Sequence, residues 1–155
     1  MFIEIIISKQ RLFLKDKDSV LSSYPISTSK YGIGNNSGSN KTPLGRHRIV
    51  SKLGRNAPLG AIFKRRRNIG KIAKTCKNGT DLITTRILRL EGLEKGLNRG
   101  KGVDSFQRCI YIHGTPEENI IGKPASHGCI RMKNRDIIKL FDSVKRNTLV
   151  AINKI

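Results

Sequence analysis

Short runs rich in isoleucine, leucine and valine, separated by polar or glycine-rich segments, recur along most of the chain. Side chains of a strand alternate between two faces, and runs of this length with β-branched residues favour strands. The first run, residues 2–13, is interrupted at residues 8–10, which predicts two short strands in a hairpin. Further strands are predicted over residues 20–27, 46–52, 82–90 and 148–152. The pattern predicts a mainly β fold.

One helix is expected near the C-terminal end, before the last strand. Asn134 is predicted to cap its first turn, and Asp136 complements the positive end of the helix dipole. The apolar residues at helical spacing on its expected buried face are Ile137, Ile138, Phe141 and Val144. A chain of 155 residues can bury one core, so we expect a single domain over residues 1–155.

The chain is strongly basic, with 31 Lys and Arg against 11 Asp and Glu and a formal net charge of +20. Its densest cationic cluster is residues 64–67. Such a surface attracts anionic polymers. There is no zinc-finger, helix-turn-helix or aromatic-interleaved pattern, so no specific nucleic-acid motif is present. Other anionic partners suit such a surface equally well, and charge alone does not choose between them.

Several classes of protein are disfavoured by what the sequence lacks. Three cysteines without framework spacing argue against a disulfide scaffold. No apolar run reaches the roughly 18 residues that would predict a transmembrane segment. The first residues lack a basic region and are interrupted by Glu4, so they do not resemble a signal peptide. From this sequence we therefore expect a cytoplasmic protein. We expect a periplasmic or cell-wall protein if another route exports it or if the sequence is a truncated form. The oligomeric state is left open.

A histidine, glycine and cysteine cluster is the main candidate for chemistry. Residues 126–131 read Ser-His-Gly-Cys-Ile-Arg, and His113-Gly114 lies sixteen positions before Cys129. A thiol attacks as the thiolate, and a neighbouring imidazole can take its proton. Gly128 allows the backbone to turn so that amide groups can face a developing oxyanion. The cluster predicts a nucleophilic cysteine.

Other interpretations of these residue types remain. The His-x-Cys pattern with a further histidine could hold a metal, but the usual zinc spacings are missing, and we expect no metal and no cofactor. Cys76 and Cys109 are more typical of small buried hydrophobes. His47, between two arginines, is expected to be structural.

The strand that leads to His113 predicts how the site is lined. Because strand side chains alternate, Ile110 and Ile112 are expected in the core. Cys109, Tyr111 and His113 then share the opposite face. Tyr111 is a candidate for the wall of a substrate cleft, although an ordinary packing role is equally possible.

The sequence resembles the L,D-transpeptidase catalytic domain family of bacterial cell-wall enzymes. The family's signature corresponds here to residues 112–115, Ile-His-Gly-Thr, and 125–132, which contain Ser-His-Gly-Cys-Ile-Arg. Residues 7–12 resemble its opening strand, and residues 41–45 its Thr-Pro-x-Gly turn. Residues 134–150 resemble its closing helix and strand. The resemblance implies a β-sandwich or barrel with one C-terminal helix before the last strand.

The resemblance also implies roles for the central residues. Cys129 would attack the carbonyl of the bond to the terminal D-residue of a peptidoglycan stem. His113 would act as general base and then as acid, oriented by the carbonyl of Gly114. The amides of Gly128 and Cys129 would form the oxyanion hole.

Four further residues are candidates for substrate binding, each with a structural alternative. His127 could hold substrate or tune the thiolate. The planar guanidinium of Arg131 suits a carboxylate but also an internal salt bridge. Ser126 could donate a hydrogen bond near the site or serve only in the turn. Tyr111 completes this set.

Two reactions and one nonenzymatic role follow. Transfer to an amine of a second stem gives a transpeptidase that forms 3-3 cross-links. Transfer to water gives a cytoplasmic L,D-carboxypeptidase that hydrolyses soluble muropeptides recovered from the wall. A remote alternative is a basic anion-binding protein without enzymatic activity.

Overall fold

The computed structural model describes residues 1–74 and 81–155. Within these ranges one α-helix, α1 (Asn134–Ser143), precedes the last strand, and short 3-10 turns cover Ile7–Lys9 and Glu118–Ile120. The strands are β1 (Phe2–Ile6), β2 (Arg11–Asp16), β3 (Ser19–Ser27), β4 (Gly45–Leu53), β5 (Ala61–Lys64), β6 (Arg67–Ile72), β7 (Ile83–Gly92), β8 (Tyr111–Gly114), β9 (Ile130–Met132) and β10 (Leu149–Asn153). The predicted mainly β fold with a helix before the final strand is confirmed.

The sheet closes on itself. Its strands follow the order β4-β10-β1-β2-β3-β9-β8-β7, and β7 pairs again with β4. The β5–β6 hairpin extends from β7 outside this ring. β1 pairs with β10 in parallel, and β8 pairs with β9 in parallel. A parallel pair needs a crossover between its strands, and the crossover from β8 to β9 carries the Ser-His-Gly-Cys segment.

The interior is aliphatic because aromatic residues are few. Helix α1 packs on β7 and β8 through Ile137, Leu140 and Phe141, all of which are buried. Ile110 and Ile112 lie in this main core, as the strand alternation predicted. Tyr111 belongs to a second, smaller cluster under β5, against which Cys109 and Cys129 pack. The two faces of β8 therefore serve different clusters.

Two local features differ from the sequence expectations. No strand was predicted between residues 52 and 82, yet this stretch contains β5 and β6, whose tight turn places Arg65 and Arg66 at positive φ. Helix α1 is preceded by Lys133 without a side-chain cap, so the predicted cap at Asn134 is wrong. The Asn134 side chain instead points inward, where its amide donates to the Thr115 carbonyl at 3.0 Å. It therefore ties the helix start to the loop after β8.

His47 has a structural role. It is fully buried, with Nδ1 3.0 Å from the Gly45 carbonyl and Nε2 2.8 Å from the Ser105 hydroxyl. Burial lowers its pKa to about 4, so the ring is neutral near pH 7. Cys76 lies outside the described residues. Across the described ranges, no helix has both the length and the apolar character required to traverse a bilayer.

Candidate active site

The parallel pairing of β8 and β9 brings the histidine and the cysteine together. Its register places Ile112 beside Ile130 and His113 beside Arg131. Cys129, just before β9, is therefore level with Tyr111, and the Tyr111 amide donates to Cys129 Sγ at 3.4 Å. Standard strand spacing and rise put the His113 and Cys129 backbones about 8 Å apart, with both side chains on one face.

His113 is held in one tautomer. Its ring is 1% exposed, and Nδ1 lies 2.6 Å from the Gly114 carbonyl oxygen. A carbonyl only accepts, so Nδ1 carries the proton and Nε2 keeps its lone pair. Burial lowers the pKa of His113 to about 4, although the Gly114 hydrogen bond and the Asp81 charge oppose this shift. The imidazole is neutral near pH 7 and can accept a proton at Nε2.

Cys129 holds a protonated thiol in the resting site. The residue keeps partial surface exposure, but desolvation of its sulfur raises the pKa to about 12. Sγ donates to the Cys109 carbonyl at 3.3 Å. Within residues 1–74 and 81–155, no hydrogen bond joins the sulfur to His113. A thiol of this pKa near an imidazole with a pKa of about 4 keeps its proton near pH 7.

The turn that presents Cys129 is built from internal hydrogen bonds. Ser126 is fully buried, and its hydroxyl donates to the Cys129 carbonyl at 2.6 Å and accepts from the Gly128 amide at 3.2 Å. Gly128 adopts φ +127°, and a Cβ there would lie 3.3 Å from the Lys41 carbonyl oxygen. The turn therefore needs glycine for both conformation and space. Of the two predicted oxyanion donors, the Gly128 amide is already engaged by Ser126.

Arg131 makes the internal salt bridge that the sequence analysis kept as an alternative, with partners that the sequence did not identify. The side chain is 2% exposed and donates from Nη2 to Asp81 at 2.6 Å, while Nη1 lies 3.6 Å from Glu117. The other Asp81 oxygen is 3.3 Å from His127 Nδ1. Burial alone would raise the pKa of Asp81, but the Arg131 hydrogen bond and charge outweigh it, so this pKa is lowered. Asp81 thus links Arg131 to His127.

Arg66 and Tyr31 also reach the site, and neither was predicted. Arg66, in the β5–β6 turn, donates to the Tyr111 hydroxyl at 3.1 Å. This contact brings the basic cluster of residues 64–67 close to Tyr111 on β8. The rings of Tyr31 and His127 lie 5.9 Å apart between centroids. Cys109 is half-buried, and its sulfur donates to the Gln107 carbonyl at 3.7 Å.

The part of the chain that the structure describes contains no metal-binding cluster. There, no group of three or more His, Cys, Asp or Glu side chains is arranged to hold an ion. His113 and His127 each have another polar partner, the Gly114 carbonyl and Asp81.

Comparison with known proteins decides the family. The family model of the L,D-transpeptidase catalytic domain matches residues 1–152. The chain belongs to this family. The match covers the strands that close the barrel as well as the His113 and Cys129 segments, and it confirms the resemblance drawn from the sequence.

Individual relatives match shorter stretches. YkuD of Bacillus subtilis (strain 168), which carries the name of an L,D-transpeptidase, is 51% identical over 43 residues, or 28% of this chain and 26% of its own. YqjB of the same strain, similarly named, is 44% identical over 52 residues, or 34% of this chain and 28% of its own. These matches span about a quarter of the relatives' length.

Solved structures of the family share the fold. The L,D-transpeptidase of Xylanimonas cellulosilytica DSM 15894 superposes with a TM-score of 0.58 at 18% identity, covering 97% of this chain and 59% of that one. L,D-transpeptidase 3 of Mycobacterium tuberculosis, in complex with a faropenem-derived adduct, gives a TM-score of 0.62 at 16% identity and covers 98% and 59%. At these identities the likeness establishes the architecture.

Proposed function

We propose that this protein is a cysteine acyltransferase that acts on the terminal D-amino acid of peptidoglycan tetrapeptide stems and joins stems by 3-3 cross-links. The observation that carries the proposal is the buried His113, whose tautomer is fixed by the Gly114 carbonyl at 2.6 Å, on the strand that pairs in parallel with the strand entered by Cys129. Membership of the L,D-transpeptidase catalytic domain family supports the same chemistry. Residues 1–155 are proposed to act as one catalytic domain, since β1 and β10 are neighbours in the closed sheet.

The first half-reaction forms an acyl-enzyme. The thiol gives up its hydrogen bond to the Cys109 carbonyl and turns toward His113. Its proton then passes from sulfur to His113 Nε2 as sulfur forms a bond to the substrate carbonyl carbon. The Cys129 amide stabilises the oxyanion, and the Gly128 amide joins it on release from the Ser126 hydroxyl. Collapse of this intermediate breaks the C–N bond, and His113 returns the proton to the departing D-amino acid.

The second half-reaction releases the thiol. An amine of a second stem attacks the thioester, His113 accepts the amine proton, and the thiolate leaves and takes that proton back. Water in place of the amine gives the tripeptide and therefore a carboxypeptidase. A soluble tetrapeptide substrate would suit a cytoplasmic enzyme, whereas cross-linking requires access to the wall.

The four proposed substrate-binding residues differ in exposure. His127 has 35% of its side chain exposed and can contact substrate directly. Ser126, Arg131 and Tyr111 are buried, and we propose that they shape the cleft through the turn, the Asp81 network and the Arg66 contact.

The test is incubation with a diaminopimelate-containing tetrapeptide, with and without an amine acceptor, followed by mass spectrometry. A joined dimer and free D-alanine are expected, and tripeptide alone would identify a carboxypeptidase. Cys129→Ala should abolish either product and His113→Ala nearly so, while Cys109→Ala is the matched control that retains activity. The proposal fails if the native protein releases no D-alanine and a carbapenem leaves no adduct on Cys129. The anion-binding protein would then be the favoured alternative.

A further inference from the structure

Thr42, in the Thr-Pro-x-Gly turn, makes a long-range contact to the cysteine turn that the mechanism above does not use. Its side chain is fully buried. The hydroxyl oxygen accepts from the Ser29 amide at 2.9 Å, and the hydroxyl donates to the Gly128 carbonyl at 3.0 Å. The Thr42 backbone is itself fixed, because its amide donates to the Gly32 carbonyl at 3.1 Å. The direction of the hydroxyl proton is therefore determined: it points at Gly128.

The Gly128 carbonyl belongs to the same peptide unit as the Cys129 amide. In a trans peptide the C=O and N–H point in opposite directions. Fixing the carbonyl on Thr42 therefore fixes the Cys129 N–H on the opposite side. Among the hydrogen bonds of residues 1–74 and 81–155, this N–H has no partner. Ser126 holds the far side of the turn through the Cys129 carbonyl.

We infer that Thr42 is a positioning residue that aims the Cys129 amide at the oxyanion. The inference rests on the proposed acyl transfer and adds to it the source of the amide's orientation. Glycine at position 128 is flexible enough for the peptide to rotate once its carbonyl loses this partner. Loss of one preorganised oxyanion donor slows acylation by about 10²–10³-fold.

The experiment compares two reactions of the same sulfur in Thr42→Val and Thr42→Ser. Acylation by a carbapenem passes through an oxyanion, whereas alkylation by iodoacetamide displaces iodide at a saturated carbon and forms none. Thr42→Val keeps the side-chain shape but removes the hydroxyl. We expect at least about tenfold slower acylation, with an alkylation rate close to that of the native protein. Thr42→Ser, which restores the hydroxyl, should recover acylation.

The outcomes separate the two proposals. If the native protein is not acylated by the carbapenem or the tetrapeptide, the proposed function itself fails. If the native protein is acylated and Thr42→Val reacts at the native rate, the role of Thr42 is refuted. Equal losses in acylation and alkylation would also refute it, because they indicate general damage to the turn. Thr42→Ala replaces the valine variant if the latter does not fold, and the Gly128 carbonyl ¹³C shift reports the lost hydrogen bond in either variant.

Discussion

The rate at which Cys129 is alkylated should increase about tenfold for each pH unit between pH 6 and pH 10, without a plateau. The reason is the burial of its sulfur, which raises the pKa from 9.0 to about 12. At pH 7 the thiolate fraction is then about 10⁻⁵, against about 10⁻² for a thiol of ordinary pKa. A more basic thiolate is also more nucleophilic, by about 16- to 32-fold for this shift. The net expectation is alkylation about 30- to 60-fold slower than in the unfolded chain.

The assay is a timed reaction with iodoacetamide across this pH range, quenched and digested so that the Cys129 peptide is quantified by mass spectrometry. The Cys109 peptide from the same digest controls for reagent decay. Protein unfolded in urea supplies the reference rate of an ordinary thiol.

A plateau between pH 6 and pH 8, with alkylation faster than in the unfolded chain, would refute the reasoning. It would mean that a thiolate and an imidazolium coexist before substrate binds. The assignment of a neutral His113 and a protonated Cys129 would then be wrong.

Three other changes have defined outcomes. Acidification from pH 7 to 4.5 should lower the thermal midpoint measured by calorimetry, because His47 and His113 have a pKa of about 4 when folded and 6.5 when unfolded, so that protons bind the unfolded chain first. The full stability present above pH 6.5 is lost as pH falls toward 4, by up to about 3 kcal/mol for each histidine. His47→Gln should make the midpoint less dependent on pH, and a native pH dependence in this variant would contradict the neutral burial of His47. Gly114→Ala should lower both the thermal midpoint and the carbapenem acylation rate, because the added Cβ would lie 2.6 Å from both the Thr84 carbonyl oxygen and Asn134 Oδ1. A native midpoint together with a native acylation rate would show that the site has room for the added methyl group. Arg131→Met should raise the pKa of Asp81 in a carboxyl ¹³C titration, since the hydrogen bond and charge of Arg131 are the largest influences that lower it. An unchanged Asp81 titration would exclude that cause.

Features with local causes could be predicted from the sequence. The strands follow from alternating apolar residues, and the shared face of Tyr111 and His113 follows from strand periodicity alone. Helix α1 follows from its apolar spacing, and the Cys129 turn from its glycine. Each of these depends on residues within a few positions of one another.

Features that depend on tertiary contacts could not be predicted. Asp81 approaches Arg131 only because β7, β8 and β9 are neighbours, and a single aspartate after a basic segment gives no signal. Arg66 belongs to a hairpin whose second strand, β6, is exposed at every position, so it shows no alternation. Asn134 resembles a helix cap in the sequence, but its side-chain amide donates to the Thr115 carbonyl in the interior instead.

The bond between His113 and the Gly114 carbonyl has an evolutionary consequence. The group that orients the imidazole is a main-chain atom, and no codon change can delete it. A mutation can act on it only by displacing the strand end, where the space beside Gly114 is already filled. Variation among related sequences can therefore alter the side chains around His113 more readily than the group that orients its ring.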